Sequence, residues 1–118
     1  MNLLEDLKNL GVDVCEGLNR VMGDSSLYEM MLGMFISAVE DNPVRVEDFD
    51  GDDLKDLTQR VHKLKGITGN LSMNHLFAEY TDVLGLLRAG QAVEAKAGYE
   101  HLLPMQREIV DCIKRHTS

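Results

Sequence analysis

Asp53-Leu-Lys-Asp-Leu-Thr-Gln-Arg-Val-His-Lys-Leu-Lys-Gly-Ile-Thr-Gly-Asn-Leu71 is the stretch that decides the fold. Leu54, Leu57, Val61, Leu64 and Leu71 recur at intervals of three, four, three and seven residues, which draws one apolar seam along a helix. The opposite face reads Lys55, Thr58, Gln59, His62, Lys65, Gly66 and Gly69. That face is expected to lie open to solvent, with an imidazole at its centre and an ammonium one turn on. A glycine inside a helix costs about 1 kcal/mol against alanine, so Gly66 and Gly69 on one exposed face ask for a reason. The expected reason is room: something comes close to His62, and larger side chains at these positions would hold it off.

On the N-terminal side, Leu3, Leu4, Leu7 and Leu10 predict a short helix over Asn2 to Leu10, ended by Gly11. Asp13 can cap a second, Val14 to Val21, closed at Gly23, and Asp24 or Ser25 starts a third. Leu27, Met30, Met31, Met34, Phe35, Ala38 and Val39 are predicted to face inward along it, the methionines filling core gaps rather than forming a binding surface. Pro43 ends that helix, and Asp41 to Asp53 is an acidic connection. It is not a calcium loop: counted from Asp48, the sixth and twelfth places hold Asp53 and Gln59 instead of Gly and Glu.

On the C-terminal side, Ser72 is the predicted cap of a helix running to about Ala89 and closed by Gly90, with Leu76, Phe77, Tyr80, Val83, Leu84 and Leu87 inward. A last helix spans about Gln91 to Lys114, and Pro104 is expected to kink it or split it in two. Short connections make antiparallel neighbours. The expected fold is therefore all-α, one domain over residues 1–118: an antiparallel up-down four-helix bundle with one or two short N-terminal helices.

Composition agrees with this class. The chain has 118 residues, 44% hydrophobic and 27% charged, with few aromatics and no Trp. A net charge of −8 argues against nucleic acid and anionic membranes as partners. No apolar run approaches the ~20 residues of a spanning helix, and the N-terminus lacks the pattern of a secretory signal. A cytoplasmic monomer is expected, with Cys15 and Cys112 as reduced thiols because they show no close spacing. The initiating Met1 and the polar end Lys114-Arg-His-Thr-Ser118 favour a free-standing protein.

The chemistry on offer centres on His62. A neutral imidazole is a competent nucleophile at cellular pH, and a phosphoryl group on it would carry negative charge within reach of Lys65. Lys55, Arg60, Lys63 and Lys65 make a basic patch on an acidic protein, although only Lys55 and Lys65 share the face of His62. No metal is expected, because His62, His75, His101 and His116 lack HxxxH or HxxE spacing. No hydrolase order of Ser, His and Asp can be picked out either.

Val61-His-Lys-Leu-Lys-Gly-Ile-Thr-Gly-Asn-Leu-Ser-Met-Asn-His-Leu76 resembles the signature of histidine-containing phosphotransfer (HPt) domains, A-H-x-L-K-G followed by a glycine and a leucine. Gly11 to Phe35 resembles the family's N-terminal pattern of a small helix, a Gly-Asp turn and a helix whose apolar face ends in Phe. Together the two blocks cover roughly residues 11–90. The resemblance implies that His62 accepts a phosphoryl group from, and returns it to, the aspartate of response-regulator receiver domains, in a relay fed by a hybrid sensor kinase. It assigns Lys65 to the phosphoryl oxygens and Gly66 to clearance, with Lys55, Thr58, Gln59, Lys63 and Gly69 around the docking partner. It implies no nucleotide site and no bound cofactor, the Mg²⁺ being supplied by the receiver. Ser72 and Leu84 depart from the family's usual Gly and its Glu or Gln. A histidine-kinase core fits less well, because Lys63 stands where an acidic residue follows the histidine and no Gly-rich ATP block is present. A module that docks a receiver without carrying phosphate is the other reading.

Overall fold

Three acidic or amide side chains start the first three helices. Asn2 Oδ1 accepts from the Glu5 N–H at 2.8 Å, Asp13 Oδ1 from Glu16 at 3.0 Å and Asp24 Oδ1 from Leu27 at 3.1 Å, each satisfying a donor that has no partner within its helix. In the computed structural model, which describes residues 2–117, these caps open α1 (Leu3–Asn9), α2 (Val14–Arg20) and α3 (Ser25–Glu40). Then come α4 (Lys55–Asn70), α5 (Asn74–Arg88) and α6 (Ala92–Thr117). The described residues contain no strand. Met1 and Ser118, part of the case for a free-standing chain, lie outside the described residues. Gly11 and Gly90 take left-handed φ values of 95° and 76° at the predicted helix ends, where a Cβ would be strained.

α4 lies along α5 and α5 along α6, while α3 packs on α4 and α1 on α6. The buried apolar residues form one cluster drawn from all six helices and the α3–α4 connection. Leu57, Val61, Leu64 and Leu71 are buried as the seam predicts, and Leu54 is half-buried at its start. Thr68 joins them, its hydroxyl donating to the carbonyls of Leu64 and Lys65 at 2.9 Å, so the buried polar atom is satisfied.

Four expectations need correction. The inward face of α3 is Tyr28, Leu32 and Phe35, whereas Met30 and Met34 are 59% and 57% exposed and Leu27 lies at the surface. Tyr28 sets that phase: its hydroxyl donates to the Leu71 carbonyl at 2.8 Å, and its ring fills the space left by the missing side chain of Gly17. Burial pushes the Tyr28 phenol up to about 12, so it stays a donor. Phe77 is not in the core; it lies half-open over α4. Ser72 does not cap α5. It is buried at φ 55°, donates to Glu16 Oε1 at 2.8 Å and accepts from Arg20 Nε at 3.2 Å, tying α2 to the α4–α5 turn.

Pro104 does not split α6, which runs unbroken for 26 residues. Its ring and Glu100, whose carbonyl loses a donor, are both on the exposed side, where water can serve. The acidic connection also contains a 3₁₀ turn, Val46–Asp50, that buries Phe49 against Tyr99 with ring centroids 5.4 Å apart.

Candidate functional site

α4 needs little help to start. Asp53 Oδ1 accepts from the Lys55 N–H at 3.0 Å, and Thr58 turns its hydroxyl back to the Leu54 carbonyl at 2.7 Å. With the apolar seam pressed into the core, the rotation of the helix is fixed and the opposite face must point outward. Lys55, Gln59, His62, Lys63 and Gly66 are exposed there, and Thr58, Lys65 and Gly69 are half-buried.

His62 therefore stands open in the middle of the helix. Among the described residues the other three histidines each have a carboxylate nearby: His75 and His101 at 3.5 and 3.4 Å from Glu79, and His116 at 2.7 Å from Asp6. His62 is the exception. Its ring is free to take a new bond.

Lys65 stands at i+3 from His62, one turn along the same face. Its ammonium rests 5.9 Å from the centre of the Phe77 ring, a weak hold for a cation at a partly exposed site. Arg60 differs. It reaches Asp56 at 2.9 Å, Asp48 at 3.2 Å and the Pro43 carbonyl at 2.8 Å, so it braces the 3₁₀ turn, whereas the lysines of α4 make no ion pair among the described residues.

The two glycines part company. A Cβ at Gly66 would meet nothing within 4 Å, so no neighbour inside the molecule requires a glycine there. A Cβ at Gly69 would sit 2.9 Å from two carbons of the Phe77 ring. Gly69 thus has an internal reason, the close approach of Phe77. The periodicity of α5 assigns Phe77 to the core, and only the coincidence of a turnless glycine and an aromatic on the next helix hints otherwise. Arg20, Gly66, Gly69, Asn70, Asn74 and Phe77 line a hollow of about 270 Å³ beside the Lys65 end of this face.

A second depression, about 450 Å³, runs between α3 and α4 and is lined by Met30, Gly33, Met34, Lys63, Leu64 and Ile67 among others. The exposed methionines belong to it, so an adaptable apolar wall adjoins the His62 helix. Taken together, the geometry offers an open nucleophile, a cation one turn away, an unobstructed glycine and an apolar groove alongside. Comparison with protein-family models, with curated proteins and with solved structures gives no match.

Proposed function

We propose that the chain is a histidine phosphotransfer protein in a two-component relay. In this reading α3 to α6 are the antiparallel up-down four-helix bundle of an HPt domain, acting in the cytoplasm as a monomer. The observation that carries it is His62: exposed at mid-helix, without a partner, one turn from Lys65 and beside the open Gly66.

The mechanism asks this chain for a nucleophile and a cation, and its partner for the phosphoryl group and the metal. A receiver domain presents its aspartyl phosphate with bound Mg²⁺, and an imidazole nitrogen lone pair of His62 attacks the phosphorus in line. The N–P bond forms as the acyl O–P bond breaks, and the carboxylate leaves. Lys65 swings from the Phe77 ring to the phosphoryl oxygens, and the fixed helix supplies orientation. The reverse step passes the group to the next receiver, so the chain is a carrier with no kinase activity of its own.

The test mixes the purified chain with phosphorylated receivers. Acid-labile label should move onto the wild type and not onto His62→Gln. Label persisting on that variant sinks the reading. Lys65→Ala should slow transfer about ten- to a hundredfold while weakening docking less. The apolar groove with Met30 and Met34 favours a second reading, a module that docks a receiver without accepting phosphate. Receiver binding with no movement of phosphate selects it.

A further inference from the structure

Asp6, Cys112 and His116 lie at the contact of α1 with α6, on elements that carry no part of the His62 face. Cys112 and His116 are four residues apart on α6, so their side chains leave one face of the helix. Asp6 meets them from α1. One ligand atom from each, the thiol sulfur, an imidazole nitrogen and a carboxylate oxygen, all lie within 4.8 Å of one another. His116 Nε2 and Asp6 Oδ2 are 2.7 Å apart. Cys112 is fully buried, while the His116 and Asp6 side chains keep 24% and 19% of their exposure. The cluster thus has a closed floor and a mouth to solvent.

We propose that Asp6, Cys112 and His116 form a binding site for Zn²⁺, with the fourth position open to water. The donor set argues for this ion. One sulfur, one nitrogen and one oxygen suit a borderline-soft, tetrahedral cation, whereas Mg²⁺ and Ca²⁺ require shells built mainly of oxygen. Zinc bond lengths place the ligand atoms of a tetrahedral site roughly 3.3–3.7 Å apart. Side-chain rotation covers the difference: the His116–Asp6 pair opens by roughly half an ångström and the sulfur closes in.

On uptake the Cys112 thiol releases its proton to solvent as the Zn–S bond forms. His116 ligates through Nε2 with its remaining proton on Nδ1, giving up the hydrogen bond to Asp6. A thiol that coordinates a divalent cation deprotonates outright. The net charge of −8 favours cation approach. The bound ion would cross-link α1 to the last turns of α6.

Co²⁺ is the probe, added to the full reduced chain. The expected result is one ion per chain, with the near-ultraviolet sulfur-to-cobalt band and the intense visible bands of a tetrahedral site, both lost on adding Zn²⁺. Cys112→Ser should remove the near-ultraviolet band. His116→Ala and Asp6→Asn should each weaken binding about tenfold or more, with circular dichroism showing that each remains helical. Cys15→Ser and His75→Gln should leave the cobalt bands unchanged. No saturable uptake by the wild-type chain overturns the proposal, as do bands that survive Cys112→Ser or disappear with Cys15→Ser. His116→Ala keeps the test decisive if the buried Cys112→Ser fails to fold.

Discussion

His62 and His116 both ride on long helices, yet they sit in opposite kinds of place. The α4 face leaves its histidine and Gly66 without internal partners and holds Lys65 only by the Phe77 ring, so little in the fold explains them. The α1–α6 seam engages its histidine with Asp6 at 2.7 Å and buries the neighbouring Cys112. Residues that the fold does not use are where an external partner is to be sought. Residues that it does use need a stability measurement before any other role is assigned.

The largest expected effect tests that contrast directly. His62→Gln should abolish phosphoryl labelling and leave the unfolding free energy within about 0.5 kcal/mol of wild type, as for an exposed residue without contacts. His116→Ala, measured without added metal, should do the reverse: about 1 kcal/mol lost with the hydrogen bond to Asp6, and unchanged transfer. Equal effects of the two variants on both readouts would dissolve the distinction between the regions.

Two glycine substitutions sharpen it. A Cβ at Gly17 would lie 2.5 Å from Tyr28 Cε1 and 3.1 Å from the Leu71 carbonyl oxygen. Tyr28 is fully buried and the carbonyl is backbone, so neither can yield cheaply; Gly17→Ala should cost about 2–3 kcal/mol in denaturant unfolding. Gly66→Ala meets open space, and should stabilise by up to about 1 kcal/mol through helix propensity. If Gly66 keeps a docking surface clear, the stabler variant is also the slower one in transfer. A Gly66→Ala protein that transfers at the wild-type rate removes the argument from clearance.

Much of this architecture was legible in the sequence. The caps Asp13 and Asp24, the closing glycines and the leucine seam of α4 are local signals, and the outward position of His62 follows from that seam. What escaped was tertiary. Nothing in the periodicity of α3 distinguishes Met30 and Met34 from Tyr28 and Leu32; the cavity at Gly17, eleven residues before Tyr28, makes that choice. Ser72 reads as a cap because caps are local, yet its partners Glu16 and Arg20 lie more than fifty residues back. The Asp6, Cys112 and His116 cluster was missed for a similar reason. Histidine spacing alone hides a Cys-x-x-x-His pair, and Asp6 lies at the other end of the chain.

The smallest expected effect compares two cations of α4. Lys65 rests loosely on Phe77, while Arg60 is held by Asp48 and Asp56. The Asp48 carboxyl lies below its ordinary range, first because it accepts the Arg45 backbone N–H and then because of Arg60. Folded protein therefore holds that proton less tightly than the unfolded chain. The stabilisation is complete above the unfolded carboxylate value and is lost as pH falls through the lower folded value. Because the Asp48 side chain keeps 30% of its exposure, solvent screens the pair, and Asp48→Asn should cost less than about 1 kcal/mol near neutrality. The wild-type and variant thermal midpoints should converge as the solution is acidified through the carboxylate range. A constant gap across that range would mean that shape and hydrogen bonding, rather than charge, hold the 3₁₀ turn to α4, and Arg60 would then lose its contrast with the free lysines beside it.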